Sequence, residues 1–264
     1  MRIEKGGGHE SPSVDELMLF LSRYSARLLG AGATCIRLEK NVGRIAKAYG
    51  MEVEMTIMTR HIQLSLWKEG KPGMESATAT VNRNVISFNI NTLLSKLSWE
   101  IADGKVDFAT AQARFDDVVR NDRQNRWIVM LLVAFANASF CRLFGGDMVA
   151  MGVVGVATLA GYFLKILLLD GGVDVRVMAI VCSFVSAVMG ASDYLFGLGT
   201  TPDIALGTSV LYLVPGIPFI NSFSDMIYRH YLCSISRFAD AVVLTCCLSM
   251  GLCAAMLLMD SGMF

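Results

Sequence analysis

The residues best placed to do chemistry lie in one short run. Leu213-Val214-Pro215-Gly216-Ile217-Pro218-Phe219-Ile220-Asn221 sets two prolines and a glycine inside an apolar stretch, and Ser222, Ser224 and Asp225 follow. Each proline removes an amide donor and its ring crowds the preceding turn, so nearby carbonyls lose their partners. In hydrocarbon such groups are tolerated only against protein or a wet cavity. Free backbone groups at half-helix ends are suited to holding polar or charged solutes. On this reading Pro215, Gly216, Pro218, Asn221 and Asp225 line a solute pathway; a plain proline kink fits the run equally well. Asn137 and Asp193 are further polar intrusions into apolar segments. An intramembrane carboxylate is costly and usually has a task, so Asp193 is either a protonatable coupling group or a residue near the outer interface.

Other chemistries find little support. There is no Gly-x-Ser-x-Gly elbow, no His-Glu-x-x-His and no phosphate-binding Gly-x-x-x-x-Gly-Lys-Ser/Thr loop. His61 fits the end of a hairpin better than a general base, which leaves a membrane-tethered hydrolase as a secondary reading. Seven cysteines, at 35, 141, 182, 233, 246, 247 and 253, show neither a CxxC pair nor Cys/His zinc spacing. They read as small packing residues, and neither a cofactor nor a metal is expected.

The elements that must position these residues fall into two halves. Residues 1–126 hold 18 of the 23 Lys+Arg and 15 of the 23 Asp+Glu, which leaves 5 basic and 8 acidic residues for the rest of the 264-residue chain, 54% hydrophobic overall. A net charge of zero gives no electrostatic case for nucleic acid. Met1 to Val14 has no apolar run, so it is not a secretory signal, and residues 1–125 are expected to form a cytosolic domain.

That domain reads as α+β. Val14, Leu17, Leu21, Tyr24 and Leu28 recur at helical spacing until Gly30 to Gly32, and a second helix from Thr34 buries Leu38, Val42, Ile45 and Tyr49 before Gly50. The period then becomes two through Met51, Val53, Met55 and Ile57, and again through Ile62, Leu64 and Leu66, a hairpin pattern. Ala77 to Val81 suggests a third strand and Val85 to Ile90 a fourth, after which helical spacing returns at Leu94, Leu97 and Ile101 and weakly through Phe108, Phe115 and Val119. Helices should cover one side of a small antiparallel sheet.

Residues 126–264 read as an all-α membrane bundle of about five transmembrane helices, since about 20 apolar residues span a bilayer core. The expected spans are Trp127 to Phe144, Met148 to Leu169, Val177 to Leu198, Ile204 to Ser224 and Ala241 to Met259. Arg120, Arg123, Arg126, Lys165, Arg176, Arg229, His230 and Arg237 fall on one side, with Arg142 the exception. By the positive-inside rule the amino-terminal domain faces the cytosol and the carboxyl terminus the periplasm. Lys165 fits a snorkelling residue near a helix end. Small residues recur every four positions at Ser183, Ala187 and Ala191, at Cys247, Gly251 and Ala255, and at Ala157 and Gly161, and such stripes pack helices closely.

With these residues in view the chain resembles the threonine/serine exporter family, specifically the larger subunit of its two-subunit form. The resemblance runs through Arg126-Trp127, Ala138, Phe140-Cys141-Arg142-Leu143 and Gly145-Gly146. It continues through Thr201-Pro202, Ile204-Ala205, Ser209-Val210-Leu211, Val214-Pro215-Gly216 with Pro218, Ile220-Asn221, Asp225-Met226 and Arg237. It implies export of small hydrophilic metabolites, threonine and serine for fused members and a dicarboxylate such as succinate for some split ones, driven by the membrane potential or proton gradient. Fused members carry about ten helices, so the resemblance implies a separate small membrane subunit as partner, joined by alternating access as an inverted repeat, with a higher oligomer open. A regulatory or assembly subunit whose cytosolic domain senses the solute is a third reading.

Overall fold

In the computed structural model the described residues are 12–70, 73–82, 86–121, 125–192, 197 and 199–260. They divide into two compact units, one made of Met1–Arg123 with Ile217–Phe238, the other of Gln124–Gly216 with Ala239–Phe264.

The first unit begins with α1 (Val14–Gly30), started by a capping box in which Ser13 accepts from the Glu16 amide and the Glu16 carboxylate accepts from the Ser13 amide at 2.9 Å. Gly32, at φ +88°, turns the chain into α2 (Cys35–Ala48). A side chain there would be strained and its Cβ would lie 3.0 Å from Ile86. Strands β1 (Glu52–Ile57), β2 (His61–Trp67) and β3 (Met74–Thr80) form an antiparallel sheet in the order β1-β2-β3, with Ile57 opposite Ile62 and Leu64 opposite both Met55 and Ala77. This register sends Ile62, Leu64 and Leu66 to one buried face, as period two requires.

They pack beneath Leu17, Phe20, Leu21, Tyr24 and Leu28 of α1 and Leu38, Val42 and Ile45 of α2, all buried in one cluster. Phe20 meets Phe108 and Phe115 edge to face at 5.6 and 5.7 Å. The Tyr24 hydroxyl donates to the Leu94 carbonyl at 2.8 Å, and burial pushes its pKa up.

The expected fourth strand does not form within the described residues. Ser87 instead accepts from the Ile90 amide and starts α3 (Phe88–Ala102), so capping chemistry overrides the short apolar run, of which 85 lies outside the described residues. Helix α4 (Phe108–Arg120), capped by Asp107, closes this part.

The second unit holds α5 (Arg126–Leu143), α6 (Met148–Asp170), α7 (Val175–Gly190) and α8 (Pro202–Ser209), the last leading into a 3₁₀ turn at Leu211–Leu213. Helices α5 and α6 run antiparallel. Arg126 grips both oxygens of Asp170 at 2.8 and 2.6 Å at one end. At the other end Asp147 caps α6 through the Ala150 amide while its second oxygen accepts from the Thr200 amide and hydroxyl. Those amides hold the Asp147 carboxyl below the usual carboxylate range. Arg142, the charge out of place in the positive-inside count, donates to the Gly146 carbonyl at 3.0 Å.

The chain leaves the 3₁₀ turn through extended Val214, and α9 (Gly216–Ile227) begins directly after Pro215. A turn containing Arg229 at φ +66° leads into α10 (Tyr231–Asp260).

Three described helices are long and apolar enough to cross a membrane, namely α5, α6 and α10; a fourth span arises if Pro202–Leu213 and Gly216–Ile227 count as one broken span. Helix α7 is apolar but only 16 residues long, and the expected span to Leu198 includes 193–196 and 198, outside the described residues. The last helix starts at Tyr231, well before the expected Ala241. Phe135 (75% exposed), Leu132, Leu167 and Leu257 turn large apolar side chains outward from the second unit.

Candidate functional site

Two polar clusters stand out, one in each unit. In the second unit, buried Asn137 on α5 donates through Nδ2 to the Thr158 hydroxyl on α6 at 2.7 Å and to the Thr208 carbonyl in the last turn of α8 at 3.0 Å. The final carbonyls of a helix have no partner within it. Helix α8 stops after eight residues, and Asn137 adds a side-chain donor to the Thr208 carbonyl, beside the Val210 amide of the cap, where the backbone is interrupted. Around this point the Ser186 hydroxyl of α7 and the Tyr212 hydroxyl lie 3.0 Å apart. Gly161 makes room for them, because a Cβ there would collide with the Tyr212 hydroxyl and Ser186 Oγ. Gly190 does the same for α8: its Cβ would lie 2.6 Å from Ser209 Cβ.

Thr158, Ser183, Ser186, Thr208 and Ser209 are all buried, which makes a hydroxyl-rich interior in an otherwise apolar bundle. The hydroxyls of Thr208 and Ser209 bond back to the carbonyls of Ile204 and Leu206 at 2.6 and 2.7 Å. The three small-residue stripes serve packing: Ala187 clusters with Ala255, Gly251 lies against Ile180 and Ser183, and Ala157 and Gly161 are buried on α6. The Lys165 ammonium, five residues before the end of α6, sits 5.1 Å from the Tyr162 ring centroid.

The cluster in the first unit gathers around the α1–α2 loop. Asn221 on α9 donates to the Gly32 carbonyl at 2.8 Å, Arg237 on α10 donates to the Ala33 carbonyl at 2.9 Å, and Asp225 accepts from the Cys35 amide at 2.8 Å. Thr34, at the N-cap of α2, makes no side-chain cap bond, so Asp225 caps that helix from a distance in sequence. Asp225 is fully buried and pairs with Arg237 Nη1 at 2.9 Å. Ser222 and Ser234 exchange hydroxyl-to-carbonyl bonds at 2.9 and 2.8 Å and close α9 onto α10. The thiols of Cys35 and Cys233 and the Asp225 carboxylate lie within 4.8 Å of one another. The neighbouring Cys233 thiol, then burial, pushes the Cys35 thiol up.

Of the residues singled out from sequence, Asn137 lies at the helix interruption of the second unit. Pro215 precedes α9 and Pro218 occupies its first turn, where a missing amide costs nothing; Gly216 is exposed with open space around its Cα. Asn221 and Asp225 direct their polar atoms to the α1–α2 loop. Asp193 lies outside the described residues. His61 is exposed at the start of β2. Sequence reading passed over Thr158, Ser186, Thr208 and Tyr212, whose only signal is a scatter of hydroxyls in apolar segments.

Apolar helices around a buried, hydroxyl-rich interruption fit a membrane transporter. The chain belongs to the ThrE threonine/serine exporter family, whose model matches residues 19–259. It is similar to the "Probable succinate transporter subunit YjjP" of Klebsiella aerogenes, 29% identical over 251 residues and covering 94% of each chain. It is also similar to the protein of the same name from Escherichia coli K12, 27% identical over 231 residues, covering 87% of this chain and 89% of that one. No solved structure is significantly similar. The family and these relatives are transporters and not enzymes, so the hydrolase reading falls away.

Proposed function

We propose that this chain is one subunit of a secondary exporter that carries small hydrophilic metabolites, a dicarboxylate such as succinate or the hydroxy amino acids threonine and serine, across the inner membrane. On this reading residues 1–125, with the 217–238 segment that packs on them, face the cytosol, the carboxyl terminus faces the periplasm, and the apolar helices of the second unit, within residues 126–264, sit in the lipid bilayer. A separate small membrane subunit completes the pathway by alternating access, alone or within a higher oligomer. The names of the relatives, each a transporter subunit, support the need for a partner.

The observation that carries the reading is the Asn137 amide on the Thr208 carbonyl, beside the Ser186–Tyr212 pair. A carboxylate or hydroxyl of the solute would exchange with these bonds, and a helix already interrupted there can reorganise without breaking a continuous ladder. Pro215, Gly216 and Pro218 set where the chain restarts as a helix. The experiment is efflux of labelled succinate, threonine and serine from cells expressing the chain with and without a co-encoded small membrane protein. Efflux that needs both proteins and is lost in Asn137→Leu at normal membrane levels supports the reading. Absence of efflux for all three solutes in the paired cells overturns it.

A second reading, solute sensing by the first unit, draws on one feature: an open groove of about 680 Å³ edged by Lys40, Arg44 and Lys47, with Arg44 stacked 3.7 Å over Trp99. Neutralising these three cations would then alter the response to an anionic solute and leave maximal efflux intact.

A further inference from the structure

Cys35, Asp225 and Cys233 come from three different helices, α2, α9 and α10, and all three are buried. Two sulfurs and one carboxylate oxygen within 4.8 Å form a donor set of the kind that holds zinc, which takes thiolate and carboxylate ligands in tetrahedral sites. Asp225 Oδ1 is engaged by the Cys35 amide. Its Oδ2 is buried and faces Arg237 Nη1 at 2.9 Å, yet neither atom makes an aligned hydrogen bond. Oδ2 thus has an ion pair and no aligned hydrogen bond, and the carboxylate can serve as a ligand beside the Arg237 guanidinium.

The charges balance with and without an ion. Two neutral thiols, the Asp225 carboxylate and the Arg237 guanidinium sum to zero. Zinc with two thiolates, the same carboxylate and the same guanidinium also sums to zero. Binding forms two Zn–S bonds and one Zn–O bond and releases two thiol protons to solvent, so no net charge is buried, the usual obstacle to placing a divalent ion in an interior.

We propose that Cys35, Cys233 and Asp225 bind a thiophilic divalent cation, zinc, which staples the α9–α10 turn to the start of α2. Arg237 neutralises the site, and three protein donors leave the fourth position to solvent or a further small ligand. The site does not depend on which solute the protein carries, and its test requires no transport.

The test uses the full chain purified in detergent under reducing conditions, with Cys141, Cys182, Cys246, Cys247 and Cys253 replaced by alanine so that Cys35 and Cys233 are the remaining thiols. Metal analysis should give about one zinc per chain. Cobalt in its place should show thiolate-to-cobalt charge-transfer absorption, and zinc should raise the unfolding temperature. Adding C35S and C233S should remove both the absorption and the shift. If that variant does not fold, the parent decides alone: no zinc retained and no cobalt absorption overturns the proposal. Equal binding after both thiols are removed, or a Cys35–Cys233 disulfide found by mass spectrometry of the unreduced protein, also overturns it.

Discussion

Asp225 accepts the backbone amide of Cys35 at 2.8 Å across 190 positions of chain. The bond caps a helix that its own N-cap residue leaves uncapped, and it does so with a buried carboxylate held by Arg237. Asn221 and Arg237 fasten the same loop, so three side chains converge on the backbone of Gly32, Ala33 and Cys35, within four residues of one another.

Replacing Asp225 with asparagine should leave Arg237 buried without its counter-charge. The expected cost is about 3–5 kcal/mol, read as a lower denaturation midpoint of the purified protein. In a cycle with Arg237→Gln, the double variant should lose less than the sum of the single losses.

Asn137→Leu should remove the donors to Thr158 and Thr208 while keeping the volume. Polar contacts between membrane helices are worth on average about 0.6 kcal/mol and at most about 1.7, so the bundle should lose roughly 1–2 kcal/mol in a detergent unfolding assay. Efflux should fall far more than stability does.

Gly251→Ala and Gly161→Ala should separate two kinds of crowding. At Gly251 the new methyl meets the Ile180 carbonyl, which belongs to backbone, whereas at Gly161 it meets the ends of Tyr212 and Ser186. Overpacking usually costs about 1–3 kcal/mol, and Gly251→Ala should lie at the upper end and Gly161→Ala at the lower in paired thermal unfolding.

Asp147 gives a pH dependence with a definite sign. Its folded pKa is depressed by the Ala150 and Thr200 amides, so its contribution is present above the unfolded value of about 3.9 and is lost as pH falls through the folded one. The gap in unfolding temperature between wild type and Asp147→Asn should be open at neutral pH and close in strongly acidic buffer.

The sequence made the local elements readable because each rests on a short-range rule. The strand alternation through Ile62, Leu64 and Leu66 and the stripe of Leu17, Leu21, Tyr24 and Leu28 both appear as buried faces. Val85 to Ile90 misled because a short, largely apolar stretch does not distinguish strand from helix start, and the cap at Ser87 decides it. The site was partly legible. Asn137 announces itself as an amide in an apolar segment, but its acceptors are set by tertiary packing. The convergence of Cys35, Asp225 and Cys233 has no sequence signature, because metal-site patterns count spacing within a segment and these residues meet only after the chain returns. The same holds for Asn221 and Asp225, whose types fit a solute site or a loop clamp equally.

The return of residues 217–238 to the first unit sets an order of events during synthesis. While the ribosome is making α3 through α8, the Gly32 and Ala33 carbonyls and the Cys35 amide have none of their eventual side-chain partners, and the cluster that Cys233 completes is unfinished. The amino-terminal part therefore matures only after Arg237 has emerged. A nascent chain arrested before that residue should be readily digested around the α1–α2 loop and become resistant soon after it.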